Sequence, residues 1–206
     1  MEWKKILQGN LGGPLTLKMI ELGVGPYIGL PKNPDLEKFQ NIWMSKKNSV
    51  HPVTLLAHLL KTQEEMTDLN LRLKMSGFER DLGYFLLQNR DSAAHDLKHW
   101  QSTLVLSKNK SHLVKEWIIQ QMICDDRDDL VEDFKNWEIP RFPVNGRDLK
   151  EEGVKNGKLM GKIIDELKKE WIESDFKVER EHLLKVSLPK VSDALLELSP
   201  NQSKYK

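Results

Sequence analysis

The stretch FPVNGRDLKEEGVKNGKLMGKII, residues 142–164, contains the start and stop signals of two consecutive helices. Asn145 is placed to cap a short helix over residues 146–152, and Gly153 can adopt the left-handed conformation that ends such a helix. Asn156 and Gly157 then open a second helix. The spacing therefore predicts a pair of helices joined by a tight turn. We call residues 142–164 the basic hairpin, because lysines surround its glycines.

The second helix of the basic hairpin has two faces of different character. At helical spacing, an apolar stripe is formed by Met160, Ile163, Ile164, Leu167 and Trp171, while another face carries Lys158, Lys162 and Lys169. With Lys155, these lysines surround a helix start at which glycine allows an anion to approach. The pattern predicts a phosphate-binding site. An alternative stays open, in which Gly153, Gly157 and Gly161 serve only close packing between helices.

Charge is unevenly distributed along the 206 residues, although the formal net charge is only +1. The segment 141–162 has six basic residues, Arg141, Arg147, Lys150, Lys155, Lys158 and Lys162, against the three acids Asp148, Glu151 and Glu152. The segment 125–138 reverses the balance, with seven acids against two bases. Attraction to a nucleic acid must therefore come from a local patch.

Helical signals run through the whole chain, and no convincing alternation of strand residues occurs. We predict an all-α fold without a β-sheet. A helical body is expected over residues 1–107 and a smaller helical tail over residues 108–187, separated at the polar SKNKS segment. Residues 188–206, which end in SPNQSKYK, are predicted to be disordered.

Several patterns could suggest chemistry, but none predicts a catalytic or metal site. The DDRDD run, residues 125–129, lacks the strand and glycine turn that accompany a magnesium-binding carboxylate pair, and is interpreted as the start of a helix. His95 and His99 have the spacing of two zinc ligands, yet no third ligand is visible. The single cysteine, Cys124, excludes an internal disulfide, fits a reducing compartment and is expected in a core.

No segment has the length of a membrane span, so no membrane partner is predicted. The first residues, MEWKKILQGN, look like the end of a helix that begins earlier, since apolar residues start without a cap. Any targeting segment is therefore expected to precede Met1.

Four motifs in this order resemble the C-terminal half of the class II CCA-adding tRNA nucleotidyltransferases, in their animal and mitochondrial branch. They are GVGPYIGLP (residues 23–31), HPVTLLAHLL (51–60), MTDLNLRLKMSGFERDLGYFLLQNRD (66–91) and the basic hairpin, and the resemblance covers about residues 3–184. It implies a body and a tail that bind tRNA, and no DNA. It also implies that a head domain adds CCA to the tRNA 3′ end, using CTP, ATP and Mg²⁺.

The resemblance also implies site residues and a departure from the family. The expected phosphate contacts in the tail are Arg147, Lys155, Gly157, Lys158 and Lys162, and possible contacts in the body are Arg72, Lys74 and Arg80. The glycine-turn and DxD site of the family's head, and the Asp and Arg of its neck, have no counterpart in this sequence. We therefore predict no catalytic residue, no cofactor bound by this chain, and no nucleotidyl transfer by residues 1–206 alone.

Two hypotheses follow from the sequence. In the first, the chain is a tRNA-binding half that acts with a head supplied by a longer product of the same gene. In the second, it is an inactive helical interaction module that associates with itself or with the full-length enzyme without touching RNA. The expected location is intracellular and reducing, in the mitochondrion, the cytoplasm or the nucleus, and the sequence does not choose among these.

Overall fold

The computed structural model describes residues 2–90 and 95–197, and regular structure in these residues is helical, without a strand. The predicted all-α fold is confirmed. In chain order the helices are α1 Glu2–Gln8, α2 Gly12–Glu21, a 3₁₀ helix Gly25–Ile28, α3 Leu36–Lys46, α4 Pro52–Ala57, α5 Gln63–Leu73, α6 Gly77–Gln88, α7 Leu97–Leu106, α8 Ser111–Cys124, α9 Asp128–Asn136, α10 Gly146–Glu151, α11 Gly157–Glu173, α12 Arg180–His182, a π-helical segment Leu183–Ser187 and α13 Leu188–Glu197.

The chain divides into two compact units. The first comprises the described residues of Met1–Trp100 and Asn109–Trp137, and the second comprises those of Gln101–Lys108 and Glu138–Lys206. This division differs from the predicted boundary at residue 107 in two places. The end of α7 belongs to the second unit, since Val105 and Leu106 pack against its core, and α8 and α9 belong to the first unit because α8 packs on α3 and α6. The body and tail assignments, 1–107 and 108–187, stay predictions.

The first unit is built around α4, all six residues of which are buried. Pro52 stands at the first helical position, where its missing N–H costs nothing, and the His51 Nδ1 accepts a hydrogen bond from the Val53 N–H at 3.2 Å. Gln120 on α8 holds the start of α4, since its Oε1 accepts from the Thr54 hydroxyl at 2.8 Å. The apolar HPVTLLAHLL segment is thus the centre of this core, with α1, α3 and α6 packed on it.

The capping boxes that begin α5 and α6 agree with the sequence pattern. Thr62 and Glu65 bond reciprocally at the start of α5, and Ser76 and Glu79 do the same at the start of α6. These bonds fix both helix starts, and therefore the positions of Arg72 and Arg80 along α5 and α6.

The second unit has its own apolar core, centred on α11. The Trp171 ring makes edge contacts with Phe142 at 5.2 Å and with Phe176 at 4.9 Å between ring centroids. Met160, Ile163 and Leu167 continue this face of α11, as the predicted stripe requires. The core therefore anchors the basic hairpin to the rest of the second unit.

The prediction that disorder begins at residue 188 was wrong for Leu188–Glu197, which form α13. Leu188 is buried in the second core, and Val191 and Leu195 pack against it. These three residues recur at helical spacing, and this signal outweighs the polar composition that follows. The remaining part of the prediction, residues 198–206, lies outside the described residues.

Candidate nucleic-acid interface

The basic hairpin forms from the signals that its sequence contains. Asn145 Oδ1 accepts from the N–H of Arg147 at 2.8 Å and caps α10. Gly153, with φ of +92°, ends α10: its N–H donates to the Lys150 carbonyl, and the next N–H, of Val154, donates to the Leu149 carbonyl. This pair of bonds is the Schellman motif, which turns the chain sharply towards α11. The predicted end at residue 152 is one residue beyond the observed end of α10.

Gly153, Gly157 and Gly161 do not serve close packing. A Cβ built on any of them would meet no atom within 4 Å outside its chain neighbours and the backbone of its own helix. All three residues are exposed. The packing alternative is therefore wrong, and the bare backbone at Gly157 and Gly161 leaves one side of the first turns of α11 open to solvent.

The cations of the hairpin are exposed and have no ion pair within residues 2–90 and 95–197. They are Arg147, Lys150, Lys155, Lys158 and Lys162, and Arg141, just before the hairpin, is likewise exposed without an ion pair in these residues. Two of the three hairpin acids are engaged instead by cations from outside the hairpin. Asp148 binds the Arg180 guanidinium at 2.9 Å, and Glu152 binds the Lys185 ammonium at 2.7 Å.

Arg180 and Lys185 were not identified from the sequence, since they lie more than thirty residues from their partners. The hydrogen bond from Arg180, together with the Asn145 N–H, holds the pKa of Asp148 below its ordinary value. Arg180 and Lys185 neutralise two of the hairpin's own acids. The hairpin therefore has more unpaired positive charge than the difference between its basic and acidic residues indicates.

The start of α11 is unusual for a helix N-terminus. Its first turn contains no acid, and Lys158 and Lys162 stand one turn apart, where like charges repel. Positive charge near a helix N-terminus also opposes the helix dipole. The fold therefore places several uncompensated cations where an anion would relieve their repulsion.

One detail of the predicted phosphate site needs correction. Asn156 Oδ1 already accepts from the N–H of Lys158 at 2.9 Å and from that of Leu159 at 3.3 Å. These backbone groups are therefore not free to bind a phosphate, because the cap residue satisfies them. An anion at this site would be held mainly by lysine side chains.

The cationic surface of α11 ends after Lys162. Further along the helix, Lys169 pairs with Glu166 at 2.7 Å, and Asp165 pairs with Lys108 at 3.6 Å. These neighbouring charges neutralise each other. Lys168 lies over the Phe142 ring at 5.9 Å, so the cations of α11 with neither an ion pair nor a ring contact lie at its hairpin end.

The three candidate contacts in the first unit differ from each other. Arg80 pairs with Asp81 at 2.7 Å. Arg72, in the last turn of α5, and Lys74, which ends that helix with φ of +48°, are exposed and make no ion pair within the described ranges. Arg72 and Lys74 are thus the better placed of the three for an anionic ligand.

The acidic run at the start of α9 is occupied by neighbouring cations. The Lys46 ammonium lies 3.0 Å from Asp126 and 2.7 Å from Asp128, and Arg127 pairs with Asp129 at 3.1 Å. These hydrogen bonds raise the pKa of Lys46. Since an ammonium group stands between the two carboxylates, the arrangement does not fit a magnesium ion.

The histidine pair and the cysteine have structural surroundings. The rings of His95 and His99 stack with centroids 3.6 Å apart, and no group of three or more metal-binding side chains occurs among the described residues. Cys124 packs against the first core, as expected, and burial raises the pKa of its thiol. Among the described residues, no helix is long and apolar enough to cross a membrane.

The fold and this site define a helical protein with a hairpin whose basic side chains are exposed and make no ion pair among the described residues. No family model matches the chain. Over 191 residues it is 34% identical to CCA tRNA nucleotidyltransferase 1, mitochondrial, of Homo sapiens, and 33% identical to the proteins of the same name from Mus musculus and Danio rerio. Each match covers 89% of this chain and 44% of the relative, so the chain spans less than half the length of the curated relatives it matches.

The chain is therefore a homologue of the CCA tRNA nucleotidyltransferases, and the resemblance drawn from its motifs is confirmed.

Proposed function

We propose that this chain is the tRNA-binding part of a CCA tRNA nucleotidyltransferase, and that its basic hairpin contacts the tRNA backbone. The observation that carries the proposal is the set of unpaired cations around the bare backbone of Gly157 and Gly161. The contacts proposed are Arg147, Lys155, Gly157, Lys158 and Lys162, with Arg72 and Lys74 as secondary contacts in the first unit and Arg80 as the weakest candidate, since Asp81 already engages it.

Contacts of this kind suit a ligand that is recognised by shape. Lysine side chains bind phosphates as point charges, without regard to base sequence, and fix the register of the protein on the nucleic acid. An enzyme that acts on many tRNAs needs such recognition, because the tRNAs share a backbone shape and differ in sequence. The glycines contribute by letting a phosphodiester chain come close to α11.

The chemistry is proposed to come from a domain outside these residues. The resemblance implies Mg²⁺, CTP and ATP, but the clustered carboxylates of the DDRDD run are bound to Lys46 and Arg127. No reaction step is therefore assigned to this chain. Because the relatives are named mitochondrial, we propose a mitochondrial location, with tRNA and a longer enzyme form as partners.

The test replaces Lys155, Lys158 and Lys162 together by glutamate and measures binding to a tRNA transcript across a series of salt concentrations. The affinity should fall by at least about tenfold at low salt, and the slope of log K against log salt should shrink by about 0.9 for each lost duplex phosphate contact. The matched control replaces three exposed lysines of the first unit by glutamate, namely Lys61, Lys110 and Lys135. It should change the affinity and the salt slope much less.

An unchanged affinity and slope in the hairpin variant would refute the RNA-binding proposal. The interaction-module hypothesis would then gain support. Leu15 in α2 and the cap residues Leu11 and Leu22 at its two ends recur at helical spacing, and each is at least half exposed. A second readout concerns the chemistry. Incorporation of labelled CMP or AMP into tRNA lacking CCA, by the purified chain alone, would contradict the assignment of catalysis to another domain.

A further inference from the structure

A cavity of about 240 Å³ lies in the first unit, lined by residues of α3 and α8 and of the ends of α4 and α6. Its apolar lining includes the buried aliphatic side chains of Ile42, Ala57 and Leu86. The volume falls below the range of about 300–1,000 Å³ that is typical of sites for drug-sized ligands. The cavity therefore suits a single ring system that lies against aliphatic groups.

His58 lines this cavity and has one ring nitrogen without a partner. Its Nδ1 lies 2.7 Å from the Thr54 carbonyl oxygen, which only accepts, so Nδ1 carries the proton of that hydrogen bond. Burial lowers the pKa of His58, and the imidazole is therefore neutral at pH 7. The Nε2 is then a bare acceptor, and it makes no hydrogen bond within the described residues.

Gln121 on α8 adds a second acceptor to the lining of the same cavity. Its Nε2 donates to the two carboxylate oxygens of Asp125 at 2.9 and 3.0 Å, and these bonds fix the orientation of the amide. The Oε1 is buried and has no hydrogen-bond partner within the described residues. Because a buried acceptor without a donor is costly, an N–H group that reaches it from the cavity would stabilise a complex.

Lys38 on α3 supplies a cation to the lining. Its side chain is exposed and makes no ion pair within the described residues. The other lining cation, Arg90, already donates to the Ala57 carbonyl at 2.9 Å, and the lining carboxylate of Asp126 lies 3.0 Å from the Lys46 ammonium. The cavity therefore combines two acceptors that lack donors with an ammonium group that is available to an anion.

We propose that this cavity takes up one unpaired RNA nucleotide whose base is adenine or cytosine. The exocyclic amino group donates to His58 Nε2 and to Gln121 Oε1, and the phosphate pairs with Lys38. The ring lies against Ile42 and Leu86. Guanine and uracil have a carbonyl oxygen in place of that amino group, which would face two acceptors. Proteins read unpaired RNA bases by hydrogen bonds to such edges. The inference rests on the proposed function and adds a base preference to it.

The test measures the binding of oligo(C) and oligo(U) RNA, each of ~12 nucleotides, to the whole chain at neutral pH. The unchanged chain should bind oligo(C) about tenfold more tightly, because the amino group of cytosine is a donor where uracil has an acceptor. His58→Leu removes the Nε2 acceptor and should abolish this preference. Equal affinity of the unchanged chain for the two strands would overturn the proposal.

A second variant tests the phosphate contact at an exposed position. Lys38→Gln should reduce the salt slope by about 0.7 for both strands, the value for one lost single-strand phosphate contact, and should keep the preference for oligo(C). Lys61→Gln, which also removes an exposed lysine of the first unit, should change neither quantity. An unchanged slope in Lys38→Gln would overturn the assignment of the phosphate to Lys38.

Free CMP and UMP separate the two sources from which such a nucleotide could come. If the base belongs to an RNA strand, CMP should bind more weakly than oligo(C) and still more tightly than UMP. If CMP binds as tightly as oligo(C), the cavity is a site for a free nucleotide, and the assignment to RNA is overturned.

These outcomes are distinguishable from failure of the proposed function. If the hairpin variant loses tRNA affinity while the unchanged chain binds oligo(C) and oligo(U) equally, only the base site fails. If the hairpin variant keeps its tRNA affinity while the unchanged chain prefers oligo(C), only the hairpin proposal fails.

Discussion

The cations around α8 and α9 in the first unit and the cations of the basic hairpin are engaged in opposite ways. In the first unit, Lys46 lies between two carboxylates, Lys115 donates to the carbonyls of Lys135 and Trp137, and Arg127 binds both Asp129 and the His95 carbonyl. In the hairpin, none of the basic side chains has an ion pair with another described residue, and cations from elsewhere take up Asp148 and Glu152.

This difference separates cations that stabilise the fold from cations that are available to a ligand. A lysine held by two carboxylates adds to stability and has little charge left for a phosphate. A lysine beside other lysines at a helix N-terminus does the reverse, since it destabilises the free protein slightly. Charge counts along the sequence cannot make this distinction, because both regions contain many charged residues.

The largest effects on stability and tRNA affinity are expected from two single substitutions, one in each region, and these test the comparison directly. Lys46→Gln removes two ion pairs and should lower the free energy of unfolding by about 1 kcal/mol, with little change in tRNA affinity. Lys158→Gln should leave stability unchanged or slightly raised, and should reduce tRNA affinity several-fold with a smaller salt slope. Urea unfolding and tRNA titration of both variants measure the four values.

The comparison would fail if Lys46→Gln weakened tRNA binding as much as Lys158→Gln does. It would also fail if Lys158→Gln destabilised the chain to the same extent as Lys46→Gln. Either result would mean that the two regions do not divide their cations between structure and binding.

Substitution of Gly161 is expected to change stability and tRNA affinity less, and it tests the hairpin alone. Glycine in an exposed helix costs about 0.5–1 kcal/mol relative to alanine, and nothing within 4 Å requires it at this position. Gly161→Ala should therefore stabilise the chain by up to this amount. Because a methyl group would stand where a phosphodiester is proposed to pass, tRNA affinity should fall, and more so for Gly161→Leu.

Gly77→Ala is the matched control for this substitution. Gly77 stands at the start of α6, also with no atom within 4 Å of a built Cβ, and lies far along the chain from the hairpin. It should not lower tRNA affinity. An increase in stability at Gly161 without any loss of affinity would argue that no ligand approaches this face of α11.

The sequence predicted the helices of the hairpin well, because their signals are local. Asn145, Gly153 and Asn156 act on backbone groups two to five residues away, and the structure has each in the predicted role. The availability of the lysines was not predictable in the same way. It depends on Arg180 and Lys185, whose pairs close over more than thirty residues of chain.

Two other features show where local patterns give incomplete answers. At residues 188–197 two local signals conflict, because Leu188, Val191 and Leu195 recur at helical spacing while the residues after them are polar, and the packed helix forms. The assignment of α8 and α9 to the first unit follows from tertiary packing on α3 and α6. The polar SKNKS segment marks a turn in the sequence but does not tell which core the following helices join.

The smallest expected effect is the pH dependence of stability that the buried histidines of the first unit contribute. Burial lowers the pKa of His58, whose Nδ1 lies 2.7 Å from the Thr54 carbonyl oxygen, and burial also lowers the pKa values of His51 and His99. Since the unfolded chain takes up these protons first, stability is complete above the ordinary histidine pKa of about 6.5 and falls as the pH drops below it. His58→Gln should make this fall shallower in urea unfolding between about pH 8 and 5. If stability depends on pH equally in the wild type and in His58→Gln, then His58 does not couple protonation to folding. The comparison of buried histidines in the first unit with exposed charges in the hairpin would then not hold for His58.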